Sequence, residues 1–78
     1  MQIGFYKMNI RDEVIIVTKK NQKFQGVIYA IEENNYYVAL DYKKGKITTS
    51  KVILHDSEIE SFKIIEHNAI RRGENPMK

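Results

Sequence analysis

His55 and His67 are the only histidines of this chain, and it has no cysteine. A zinc site needs three or four clustered donors, so no metal is expected, and no residue pattern implies a cofactor. His55 reads as a turn residue, satisfied by backbone or by Asp56. Carboxylates fall in pairs at Glu32-Glu33 and at Glu58 and Glu60. Acid–base catalysis needs two such groups in one concave site with their pKa values pushed apart. Placed between strand-like runs, these read as solvated turn acids. Ser50 and Ser57 stand in no nucleophile-elbow context. No catalytic residue is assigned, and the expectation is that the chain is not an enzyme.

Binding chemistry has better material. Lysines gather at Lys19, Lys20 and Lys23 and again at Lys43, Lys44 and Lys46, with Tyr36, Tyr37 and Tyr42 close by in sequence. Lysines at hairpin ends keep strands soluble and blunt their edges. Beside aromatic rings they also suit RNA, where each stacked base contributes about 1–3 kcal/mol. Asn34, Asn35, Tyr36, Lys43 and Lys44 are the candidate RNA contacts. Arg71-Arg72 either reaches an acidic partner or RNA, or serves solubility alone.

Size and charge bound these options. A chain of 78 residues makes one domain, and at this size only about 60–65% of the unfolded surface is buried. Thirteen Lys and Arg against ten acids give a net charge of +3, with the signs interspersed. That permits nucleic-acid contact without demanding it. The absence of cysteine excludes a disulfide framework. No apolar run approaches the roughly 18 residues of a membrane span, and the first residues lack a signal-peptide core. The expectation is a soluble protein, cytoplasmic and/or nuclear, with no membrane contact.

Five short strands must position these residues. Glu13 to Thr18 is rich in β-branched side chains, which lose little by being extended. After a polar turn at Lys19 to Gln22, a second strand runs from Lys23 to Ile31. In it Gly26 follows Phe24 by two places and precedes an apolar run, the mark of a strand that bends where another backbone comes close. Glu32 to Asn35 is the next turn, and Tyr36 to Tyr42 the third strand. Lys43-Lys44-Gly45-Lys46 reads as a tight hairpin, Gly45 supplying a positive φ. A fourth strand is expected from Ile47 to Leu54 and a fifth from Ile59 to Ile65. Five bent strands in so short a chain hide an apolar face by curling into a small barrel, all-β and SH3-like in class. Met1 to Asp12 is expected as a short helical or irregular cap over one barrel mouth. The polar stretch Glu66 to Lys78 reads as a mobile tail or a short frayed helix.

From Glu13 to Ile65 the pattern resembles the Sm and Sm-like proteins. The resemblance is carried by Phe24-x-Gly26-x-Ile28, Glu32 six residues after the glycine, and the apolar close at Val38 and Leu40. It implies a strongly bent five-stranded barrel whose fourth strand pairs with the fifth strand of the next subunit, a form of strand addition. Val52, Ile53 and Leu54 on one edge and Ile59, Phe62 and Ile64 on the other are the interface residues it implies. RNA-binding members hold a base with an Asn near the third strand and an Arg-Gly pair before the fifth. Here those places read Tyr36-Tyr37-Val38 and Leu54-His55-Asp56-Ser57, and Asp56 beside Glu58 would repel phosphate. A barrel without the RNA motifs is similar to the Gemin Sm-like subunits of the survival-of-motor-neuron complex. The Gemin six type is the nearest, through Glu13-Val14, Asn21, Gly26, Val38-Ala39-Leu40 and His55. Bacterial Hfq is echoed faintly at Leu54-His55-Asp56. The resemblance implies a non-catalytic subunit that pairs with another Sm-fold protein in assembly of spliceosomal ribonucleoproteins. The alternative is an Sm-like or Hfq-like RNA-binding ring.

Overall fold

A computed structural model describes residues 7–43 and 46–77. Five strands, β1 (Glu13–Thr18), β2 (Lys23–Glu32), β3 (Asn35–Leu40), β4 (Lys51–His55) and β5 (Ile59–Glu66), form one antiparallel sheet in the order β4-β3-β2-β1-β5. A three-residue 3-10 turn, η1 (Asp56–Glu58), joins β4 to β5.

The shape follows from β2. It pairs with β1 over Lys23–Val27 and with β3 over Gly26–Glu32, so the two ladders overlap at Gly26 and Val27. At Gly26 a Cβ atom would lie 2.8 Å from the Ala39 carbonyl carbon and 2.9 Å from Val38 Cγ1, and closer still to the Ala39 oxygen. Backbones approach that closely only where no side chain intervenes, so the close approach expected at Gly26 is present, against Ala39. A register shift between Ile28 and Ala30 then leaves Tyr29 as an extra residue opposite β3, and such bulges add bend and twist.

The connections show how far the sheet curls. His55 lies opposite Asn35 at the far end of β2, whereas Ile59 lies opposite Thr18 at its near end. Laid flat, β2 alone would separate these points by about 30 Å. Four residues span at most about 14 Å, so the two sheet edges converge at η1. The Asp56 N–H donates to Asn34 O at 2.8 Å and the Lys19 N–H to Glu58 O at 2.9 Å, tying η1 to both neighbouring turns. No ladder pairs β4 with β5 among the described residues.

Inside the curl lie Met8, Val14, Ile16, Ile28, Val38 and Leu54, all buried. On β1 the buried Val14, Ile16 and Thr18 alternate with half-buried neighbours, as one face of a strand requires. The β2–β3 turn places Glu33 and Asn34 at φ 50° and 67°, the paired left-handed conformation of a two-residue hairpin.

Three stretches differ from the sequence reading. β3 ends at Leu40 rather than Tyr42, because Asp41 turns to φ 56°. β4 begins at Lys51 rather than Ile47, because Thr48 bonds elsewhere: its N–H donates to Pro76 O at 2.8 Å and it bridges Met77. Glu66 closes β5, and residues 67–77 are neither helix nor free tail. They run back as a strap whose Ala69 and Ile70 bury Val27 on the outer face of β2, beside Tyr42. Residues 7–12 contain no helix, and Met8 enters the core. Lys46 N–H donates to Lys43 O at 2.8 Å across the expected hairpin turn. Lys44 and Gly45 lie outside the described residues, as do residues 1–6 of the expected cap.

Asp12 fastens the strap. Its carboxylate is 2% exposed and accepts from Asn9 N–H at 3.1 Å and from Asn68 N–H at 3.3 Å, with His67 Nδ1 also at 3.3 Å. Ala69 N–H donates to Arg11 O at 2.7 Å alongside. Burying a carboxylate is tolerable only with such partners, and removing it strands the donors.

Two outcomes are expected. Gly26→Ala should destabilise by about 1–3 kcal/mol or more, as overpacking does, and lower the thermal midpoint well beyond Gly73→Ala. At Gly73 φ is 85° but a Cβ meets open space, so equal midpoints would contradict the close-approach argument. Asp12→Ala should cost about 1–3 kcal/mol in urea unfolding and release the Asn68 amide to fast exchange.

Candidate interaction site

The two edges of the sheet are β4 and β5, and the hydrogen-bond pattern shows which backbone groups they leave facing outward. Leu40 N–H donates to Ser50 O at 2.9 Å. Antiparallel ladders alternate, so Val52 and Leu54 exchange bonds with β3 while Lys51 and Ile53 turn theirs outward. His55, next in that phase, donates its N–H to Glu58 Oε1 at 2.8 Å. On the other side, Thr18 N–H donates to Gln22 O at 2.8 Å and Ile28 N–H to Asp12 O at 3.0 Å. Even-numbered residues of β1 therefore bond to β2, and Ile15 and Val17 bond to β5 at Lys63 and Ser61. The backbone groups of Phe62 and Ile64 consequently face away from β1.

The six side chains expected at an interface are thus of two kinds. Leu54 is core, 5% exposed, and Val52, Ile59, Phe62 and Ile64 pack half-buried against that core. Ile53 alone among them is an exposed apolar side chain, at 46%. It lies opposite Tyr37, whose ring meets Tyr29 edge-on at 6.0 Å between centroids. Ile53, Phe62 and Ile64 offer outward backbone, and Ile53 adds an outward apolar side chain. The bulge that sets Tyr29 against Tyr37 carries no periodicity by which the sequence reading could have found it.

His55 and Ser57 come within 2.8 Å, Nδ1 to Oγ, the separation of a nucleophile and its base. The surroundings make it a helix cap instead. Nδ1 also accepts the Ser57 N–H at 3.1 Å, and the Glu58 carboxylate is engaged by the His55 N–H rather than by the ring. These are the two reciprocal bonds of a capping box. Ser57 and Glu58, not Asp56, satisfy His55. Among the described residues no three His, Asp or Glu side chains converge as metal ligands would.

The candidate RNA contacts are divided between two places. Asn34, Asn35 and Tyr36 sit at one end of β3, whereas Lys43 follows its other end, and Lys44 lies outside the described residues. The β2–β3 turn adjoins η1 through the Asp56 N–H bond to Asn34 O, so the acidic turn holding Asp56 and Glu58 stands beside Asn34, and Lys43 does not. Tyr42 packs on the strap and Tyr37 on Tyr29, leaving Tyr36 as the tyrosine of this end. Burial first, and the Asp56 carboxylate second, raise the Tyr36 phenol above its ordinary value of 10.0. Burial and then Tyr37 do the same for Tyr29.

Beside η1 an open cleft of about 580 Å³ is lined by Lys7, Met8, Tyr36, Asp56 and the start of β5 from Ile59 to Phe62. Comparison of the chain with protein-family models, with curated proteins and with solved structures returned no match. No helix among the described residues is long and apolar enough to cross a membrane.

The raised tyrosines fix the sign of one pH effect. The fold favours the protonated phenols, so their contribution is intact below pH 10 and lost as pH rises through the raised values. Tyr36→Phe should flatten this alkaline loss in thermal melts taken across pH 10, while an unchanged loss in Tyr36→Phe would place its origin elsewhere.

Proposed function

We propose that this chain is a non-catalytic, Sm-like interaction subunit. It pairs edge to edge with another Sm-fold protein and in that way serves assembly of a ribonucleoprotein complex. The observation that carries the reading is the strand order: β4 and β5, the two strands that edge-to-edge joining would use, are the two outer strands of the sheet. Each offers outward backbone groups at Ile53, Phe62 and Ile64 for main-chain bonding to a partner strand. The resemblance through Phe24, Gly26 and Ile28 supports it, since Gly26 allows the close backbone approach that such a barrel needs. Gemin-like service in building spliceosomal particles is the finer form of the proposal, and it rests on that resemblance alone.

The acids beside Asn34 weigh against direct RNA contact at the β2–β3 turn, because each phosphate brought there meets like charge.

Ile53→Pro is the direct test. It removes an outward N–H while leaving the bonds of Val52 and Leu54 to β3 in place. The folded variant should lose a partner that the parent chain captures and that proves on identification to have an Sm fold. Full-affinity capture by the variant would sink the interface. A native mass of six or seven subunits, with RNA affinity falling steeply in salt, would instead establish the RNA-binding ring.

A further inference from the structure

The cleft beside η1 has a composition that selects a ligand. Its floor is apolar and belongs to the core: Met8 is 2% exposed, and Tyr36, Ile59 and Phe62 are half-buried against the same cluster. Its rim carries Asp56 and Glu60, both exposed. Among the described residues no cation stands within ion-pair distance of either carboxylate, although Lys7 lines the same cleft. Glu58 lies next to this rim in η1. The acidic character is local, for the chain as a whole is +3.

Each ligand class meets this surface differently. A phosphate or nucleic-acid strand brings negative charge to Asp56 and Glu60. A wholly apolar group would cover the floor but desolvate two unpaired carboxylates, which is costly. An ammonium satisfies the charge, yet it is compact and strongly hydrated and covers little of the floor. A guanidinium matches both features. It is flat, weakly hydrated, stacks on aromatic faces, and presents forked donors to a carboxylate. The volume, about 580 Å³, falls in the range of small-ligand sites and has room for an arginine side chain with adjoining peptide.

We propose that this cleft binds an arginine side chain of a basic peptide segment, with the guanidinium over Tyr36 and Phe62 and its donors on Asp56 or Glu60. The cleft shares Phe62 with the β5 edge but includes neither Ile53 nor Ile64, so loss of edge pairing through Ile53 can be told apart from loss of arginine binding.

The test is an amide-resolved NMR titration of the full chain with a short peptide of alternating arginine and glycine. The same peptide with citrulline in place of arginine serves as the neutral isostere. Saturable shifts are expected at Tyr36, Asp56 and Ile59 to Phe62 with the arginine peptide and not with citrulline. Asp56→Asn combined with Glu60→Gln should weaken binding at least tenfold while keeping the parent spectrum elsewhere. Both are exposed rim positions, so the fold does not depend on them. Ile53→Pro should leave the titration unchanged. Absence of shifts at millimolar peptide, equal binding of the citrulline peptide, or saturable binding of a short oligonucleotide at these same amides would each overturn the proposal.

Discussion

The absence of a side chain at Gly26 is the constraint on which the rest of this structure depends. There β2 passes from pairing with β1 to pairing with β3, and the backbone of Ala39 occupies the space where a Cβ would stand. Were β2 straight, β4 and β5 would end far apart and three residues of η1 could not connect them. With the bend, the same short connection forms, Val14, Ile16, Ile28 and Val38 face one another, and the core closes over Met8 and Leu54. A single permissive residue thereby sets both the interior and the geometry of the two open edges.

Such a curled sheet has a convex face that the core does not cover, and the chain answers this with its C-terminal strap. Ala69 and Ile70 shield Val27, and Thr48 with Pro76 holds the far end. Asp12, at the entry to β1, connects the residues before the sheet to those after it through one buried carboxylate. A small domain gains from this arrangement, because apolar surface is scarce at this length and each covered residue matters. Among the described residues no strand pairs with the outer sides of β4 and β5, and this is the surface on which partner binding is proposed.

Much of the sheet was legible in the sequence because its signals are local. β-branched residues marked β1 from Glu13 to Thr18 at the bounds the structure has. Phe24 and Gly26 marked a bent β2, which extends one residue further, to Glu32. What escaped were non-local pairings. Thr48 belongs to the strap and not to β4, and nothing in the stretch from Ile47 to Ser50 announces a partner nearly thirty residues away. Polar composition after Glu66 concealed the strap, although the adjacent apolar pair Ala69-Ile70 was a readable clue. Asp12 carried no motif at all. Its role exists only where Asn9, His67 and Asn68 converge. Of the candidate site, the edge strands were legible, but which of their residues face outward is a property of ladder phase, which depends on register with β1 and β3.

Amide hydrogen exchange, resolved residue by residue on the free chain at a dilution where its mass is that of a monomer, tests this account most directly. Fast exchange is predicted at Lys51, Ile53, Phe62 and Ile64, with slow exchange at the interleaved Val52, Leu54, Ser61 and Lys63. Uniform protection along β4 and β5 would mean that the edges are already paired within one chain. No partner strand could then add to them, and the interaction reading would fail with them.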